Sequence, residues 1–123
     1  MAVIVFSGLF GGGSTWAAGC DTPGTEFDQL YCVVQNFQQA DKDLNTTYQE
    51  LVKKLDASGK KILQTAQRNW IKHRDTSSAA TLNGETVFYM STATQMTLDR
   101  TLFLKARIRE CNSTGCVNSK LKE

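Results

Sequence analysis

Gln67-Arg68-Asn69-Trp70-Ile71-Lys72-His73-Arg74-Asp75 is the stretch from which the rest of the chain is read. Trp70 is the largest apolar group in a long helical pattern, and a helix brings residues three and four apart onto one face. Arg74 follows Trp70 by four residues and is placed to lay its guanidinium over the indole. Arg68, Lys72 and Asp75 succeed one another at spacings of four and three, so their charges share a neighbouring stripe. The pattern is that of a helix packing through an aromatic and charged seam, and it contains no catalytic constellation.

Working outward, Ile62 or Leu63, Ala66, Trp70 and His73 define the inward stripe of a helix expected over residues 60–79, with Ser58 as its cap. Upstream, Phe37, Ala40, Leu44, Tyr48, Leu51 and Leu55 recur at spacings of three and four, which predicts a helix over residues 36–55. The connection Asp56-Ala57-Ser58-Gly59 is short enough to fold these two rods into an antiparallel hairpin. Downstream, Thr81-Leu82-Asn83-Gly84 carries turn chemistry. Val87, Phe88, Met90, Leu98, Leu102 and Ile108 then suggest a third long helix over residues 85–109. Ahead of all three, Thr25 is a candidate cap for a short helix in which Phe27, Leu30 and Tyr31 share one face, a face that must dock on the rest because one short helix is unstable in water. No strand-like alternation of adequate length is found. The expected fold class is all-α: a small antiparallel helical bundle of three long helices and a short N-terminal helix.

The N-terminus reads differently. Residues 2–10 form an apolar run of signal-peptide length, Gly11-Gly12-Gly13-Ser14-Thr15 breaks it, and Ala17-Ala18-Gly19 supplies the small residues of a cleavage site. An export signal over 1–19 and a helical domain over 20–123 are therefore expected, although no Lys or Arg precedes Asp21 to form a basic leader. Cys20, Cys32, Cys111 and Cys116 make an even set, and proximity favours two local disulfides, Cys20 with Cys32 and Cys111 with Cys116. A zinc site is the competing reading; it lacks a C-x-x-C pair and has one histidine to draw on, His73. Lipidation of Cys20 is a further alternative, because Ala17-Ala18-Gly19-Cys20 approximates a lipobox, but it would orphan one of the other thiols.

Charge is unevenly spread. Residues 20–56 hold seven acids against three lysines, a net of −4, and the remainder is +6. An acidic lobe and a basic lobe follow if the two segments do not interleave in space. Catalysis finds no support: there is no glycine-framed serine, the cysteines are committed to bridges, and Asp41 and Asp43 fall on different helix faces. No cofactor and no metal is implied. The basic residues Arg100, Lys105, Arg107 and Arg109 invite a polyanion, yet export makes nucleic acid a poor partner, and the apolar run at the start is too short for an integral membrane span.

Two motifs carry a family resemblance. The stretch from Ala40 to Tyr48, with Asp41, Leu44, Asn45 and Tyr48, followed by Gln67, Arg68, Trp70, Ile71, Arg74 and Asp75, resembles the two-part signature of the LprI-like family of small bacterial envelope proteins. The paired cysteines before the first long helix and Thr97-Leu98-Asp99-Arg100 are similar to that family too. The resemblance implies a secreted or periplasmic helical domain, with lysozyme inhibition the activity attached to the family's namesake. Many members carry a cysteine soon after the Arg-Asp pair, whereas Thr76-Ser77-Ser78 stands here. The expected function is thus a protein-binding module that occludes the cleft of lysozyme or another cell-wall hydrolase. An envelope adaptor or stress-related binding protein with a different partner is the alternative. Common animal lysozymes are basic, so Asp21, Glu26 and Asp28, around the first stapled element, are the expected contact residues.

Overall fold

The structure, a computed structural model, describes Cys20 and residues 24–123. Three helices dominate it: α1 (Glu26–Val52), α2 (Ala57–Ser77) and α3 (Met90–Ser113), with a two-stranded sheet of β1 (Ala79–Leu82) and β2 (Glu85–Phe88) between α2 and α3, and a short 3-10 turn at Asn118–Lys122. The expected export signal lies outside the described residues.

The Thr25 hydroxyl oxygen caps α1, accepting from the Asp28 N–H at 3.0 Å, and Glu26 and Asp28 lie in the first turn, where the helix dipole favours acids. The separate short helix expected here does not exist. It forms the opening turns of α1, because no glycine or proline between Glu26 and Val52 gives the chain a reason to stop. The cap of α2 also differs from expectation. Asp56, not Ser58, accepts from the Gly59 N–H at 2.7 Å, and its carboxylate takes a second hydrogen bond from the Asn118 amide at 3.3 Å. The Gly59 bond first, then the Asn118 bond, holds the Asp56 carboxyl below its ordinary value. A Cβ at Gly59 would lie 2.7 Å from Asn118 Oδ1, so a larger residue there would have to displace the Asn118 side chain that bonds Asp56.

The expectation of no strands is overturned at Asn83-Gly84. Both residues adopt positive φ, 52° and 83°, the conformation of a two-residue turn whose twist suits a β-hairpin. Ala79 pairs with Phe88 and Leu82 with Glu85 across it. The hairpin takes up the residues assigned to the start of the third helix, and α3 begins only after the Tyr89 N–H has bonded the Ser78 carbonyl at 2.6 Å.

Leu44 and Leu51 of α1, Leu63 of α2, Leu104 of α3, Leu55 of the first connection and Leu121 of the 3-10 turn form one buried cluster. Each contributes about 2 kcal/mol relative to exposure. Arg74 of α2 reaches Thr97, and Gln67 reaches Arg100, so α2 runs antiparallel to α3. Val33 and Asn36 lie beside Ser91, Thr94 and Gln95, so α1 accompanies α3 in the same sense. Two disulfides fasten the ends: Cys20 to Cys32, and Cys111 to Cys116, whose Sγ sits 3.3 Å from the Lys54 carbonyl oxygen.

Candidate functional site

Asp41, Gln67, Trp70 and Arg74 of the two-part motif lie along a seam where all three helices converge. Arg74, four residues after Trp70 on α2, places its guanidinium 5.3 Å from the Trp70 ring centre and 5.3 Å from that of Phe37 on α1. Its Nη1 donates to Asp41 Oδ1 and to the Thr97 hydroxyl, each at 3.4 Å, and its Nε donates to Asp75 at 3.0 Å. Thr97 in turn donates to the Ala93 carbonyl at 2.7 Å. One side chain thus ties α2 to α1 and α3.

Arg100 repeats the device one step along α3. It is buried, donates to Gln67 Oε1 at 3.0 Å and to the Glu123 carbonyl at 2.9 Å, and stacks 4.6 Å from Phe103 and 5.8 Å from Trp70. Burial lowers its pKa to about 10. A third arginine, Arg107, stacks 4.8 Å from Phe103 and pairs with Glu110 at 2.9 Å, and Lys120 joins the same carboxylate at 3.2 Å. Arg74, Arg100 and Arg107 thus interleave with Phe37, Trp70 and Phe103.

Of the remaining motif residues, Leu44 is in the core, and Tyr48 is half-buried with its pKa raised by burial, an effect that Arg68 opposes. Asn45, Arg68, Ile71 and Asp75 face solvent. His73 is exposed rather than packed inward, 3.5 Å from the Ser77 hydroxyl. Within the motif, Arg74 bonds Asp41 and Asp75, and Gln67 bonds Arg100 outside it. The basic cluster proposed on α3 is dispersed: Arg100 and Arg107 turn into the seam, and Lys105 and Arg109 stay outside.

The most exposed large apolar residues include a group that lies elsewhere, at the start of α1. Phe27, Leu30, Val34, Phe37 and Asp41 recur at spacings of three and four, one stripe of the helix. At its upper end Asp41 meets Arg74, and Phe37 meets Phe88 edge-on with ring centres 6.5 Å apart. Toward the N-terminus α1 runs beyond the first turn of α3, which lies beside Val33 and Asn36, and the same face emerges into solvent. Phe27 is 74% exposed, Leu30 60% and Tyr31 48%. The expected docking of these three onto the bundle is therefore corrected. Phe88 and Tyr89 are also open and extend the apolar surface toward the hairpin. Glu26 and Asp28 stand on the projecting turns, and the Cys20–Cys32 bridge fastens the preceding chain to them. Asp21 lies outside the described residues.

The charge pattern resolves differently from two lobes. Because α1 lies alongside α3, the acidic and basic halves of the sequence interleave, and exposed lysines concentrate toward one end, with Glu50, Asp56 and Glu123 among them. Glu26 and Asp28 mark the projecting end, and exposed Lys53, Lys54, Lys60, Lys61, Lys120 and Lys122 gather at the opposite end, around the α1–α2 connection and the C-terminal segment.

The sequence reading missed the exposure of Phe27, Leu30 and Tyr31. It saw their common face and lacked the one fact that matters, which is where α3 begins. Leu98 and Leu102, two of the apolar residues that suggested the third helix, are likewise exposed. Among the described residues no helix is long and apolar enough to cross a membrane. A family described as Lysozyme inhibitor LprI matches residues 20–104, which spans α1, the motif seam and the first half of α3. No curated protein and no solved structure matches the chain.

Proposed function

The chain belongs to the lysozyme inhibitor LprI family, and from that premise we propose that it is a non-catalytic inhibitor acting outside the cytoplasm, in the periplasm or as a secreted protein, against lysozyme or a related cell-wall hydrolase. Export would be directed by residues 1–19, leaving 20–123 as the working domain. The observation that supports a cleft-occluding mode is the projecting N-terminal end of α1. An enzyme cleft is filled by a convex element, and a single helix with its side chains, roughly 10–12 Å across, is such an element. Phe27, Leu30 and Tyr31 supply apolar anchors in the manner of interface hot spots. The disulfide beneath them limits the ordering that binding would otherwise require.

Electrostatics support the same end. A basic hydrolase approaching the molecule meets Glu26 and Asp28 at the projection and is repelled by the lysines at the far end, which favours productive orientation. Inhibition is tested by titrating the disulfide-bonded protein against lysozyme turning over a soluble oligosaccharide substrate. Stoichiometric loss of turnover is expected, and Phe27→Asp combined with Leu30→Asp should weaken inhibition by about a hundredfold or more, the scale of two lost hot-spot anchors. Neutralising Glu26 and Asp28 should instead slow association and reduce its salt dependence. Turnover that stays constant at saturating protein defeats the inhibitor reading. Inhibition that survives the Phe27 and Leu30 changes moves the contact away from α1.

A further inference from the structure

We propose that the groove between α2 and the C-terminal segment is a binding site for a carboxylate-bearing polymer of acetamido sugars, the chemistry of a bacterial wall glycan. The groove encloses about 410 Å³ and runs along one face of α2, where Lys61, Ile62, Thr65, Ala66 and Asn69 recur at helical spacing, with Lys122 on the opposite bank. Ser58 closes its upper end. No residue of α1 lines the groove, and the inference stands without the inhibitor reading.

The lining selects the ligand. Among the described residues that line the groove none is acidic, and neither Lys61 nor Lys122 takes part in an ion pair. Lys60, exposed on the first turn of α2, stands beside the groove and adds to its positive field. A ligand with negative charge is therefore drawn to the groove. Charge alone does not distinguish a glycan from a phospholipid surface; the rest of the lining does. Ile62 and Ala66 give an apolar floor suited to a sugar's C–H face or an acetamido methyl group. The Ser58 and Thr65 hydroxyls and the Asn69 amide offer donors and acceptors within the concavity, as fits a small polar ligand site. A bilayer presents a broad plane of headgroups and has no use for directional hydrogen bonds within a concave surface.

The experiment is co-sedimentation of the disulfide-bonded protein with purified cell-wall sacculi, beside chitin and vesicles of anionic phospholipid. Retention on sacculi that weakens with salt is expected, with little on vesicles. Lys61→Glu combined with Lys122→Glu should lower it about tenfold or more, since charge-assisted hydrogen bonds are replaced by repulsion. Lys53→Glu with Lys54→Glu makes the same change in net charge outside the groove and should leave most of the binding. Asn69→Ala, which alters no charge, should weaken retention severalfold while the helical circular dichroism is unchanged. Equal losses in the two lysine pairs, vesicle binding as strong as that to sacculi, or no retention at all overturns the proposal. Inhibition of hydrolysis is read on a soluble substrate, so either result leaves the other standing.

Discussion

Arg100→Met is the change whose sign is least obvious and most informative. Burial lowers the Arg100 pKa from its ordinary value to about 10, a penalty of about 3 kcal/mol for keeping the charge in place. Against it stand two charge-assisted hydrogen bonds, to Gln67 at 3.0 Å and the Glu123 carbonyl at 2.9 Å, together worth about 4 to 5 kcal/mol. Stacking over Phe103 and Trp70 adds about 2 kcal/mol where the rings are desolvated. The favourable side exceeds the penalty by roughly 3 kcal/mol, so methionine, which fills similar space without the charge, should destabilise by about that much. For a domain of this size the loss reads as a fall in Tm of about 10–25 °C in a thermal melt followed by circular dichroism. Adding Gln67→Leu should recover part of it, because the buried Gln67 oxygen then no longer lacks a donor. An Arg100→Met protein as stable as its parent, or more so, would show that desolvation dominates the seam and that its arginines are kept for something other than stability.

Trp70→Ala should destabilise by about 3 kcal/mol, the lower end of the range for truncating a core aromatic, because one side of the half-buried indole borders solvent beside His73 and Asp99; an unchanged midpoint in urea denaturation refutes the packing role. Tyr48 has its folded pKa raised above 10.0 by burial, so the stability it contributes is fully present below pH 10 and is lost as pH rises through the folded value. Tyr48→Phe should therefore flatten the alkaline limb of the stability curve above pH 10, and a limb that stays equally steep assigns the loss to other groups.

The helices were legible because their signal is local. Leu44, Leu51 and Leu63 repeat at helical spacing, and all three are buried. The Arg74 stack on Trp70 follows from a spacing of four alone, and the ring is found 5.3 Å away. Arg74 also reaches Asp41 and Phe37, which a single helix cannot announce, since the partners lie on another element. The hairpin was half legible. Asn83-Gly84 was read as a break, but with threonines and alanines on either side no alternation of apolar residues marked the strands, and backbone pairing prevailed over a weak pattern. The cap at Asp56 was misassigned to Ser58 because both residue types serve; Asn118, 62 residues away, helps to fix the choice by donating to the same carboxylate.

The candidate contact surface was the least legible part for a reason that applies to binding faces in general. An apolar stripe on a helix reads as core whether or not anything covers it, and only tertiary structure tells the two apart. Phe37 and Phe27 belong to one stripe; the first touches Phe88 and the second is 74% exposed. What separates them is the length by which α1 exceeds the elements beside it, and that length is set by two remote decisions. The Asn83-Gly84 turn diverts residues 79–88 into a hairpin, which delays α3 until Met90, and α1 meanwhile continues unbroken back to Glu26. Had the third helix started at residue 85, it would have run a further five residues along α1 and covered more than one turn of the stripe, at about 1.5 Å per residue. The hairpin thus determines how much of α1 remains available to a partner, although it need not touch that partner.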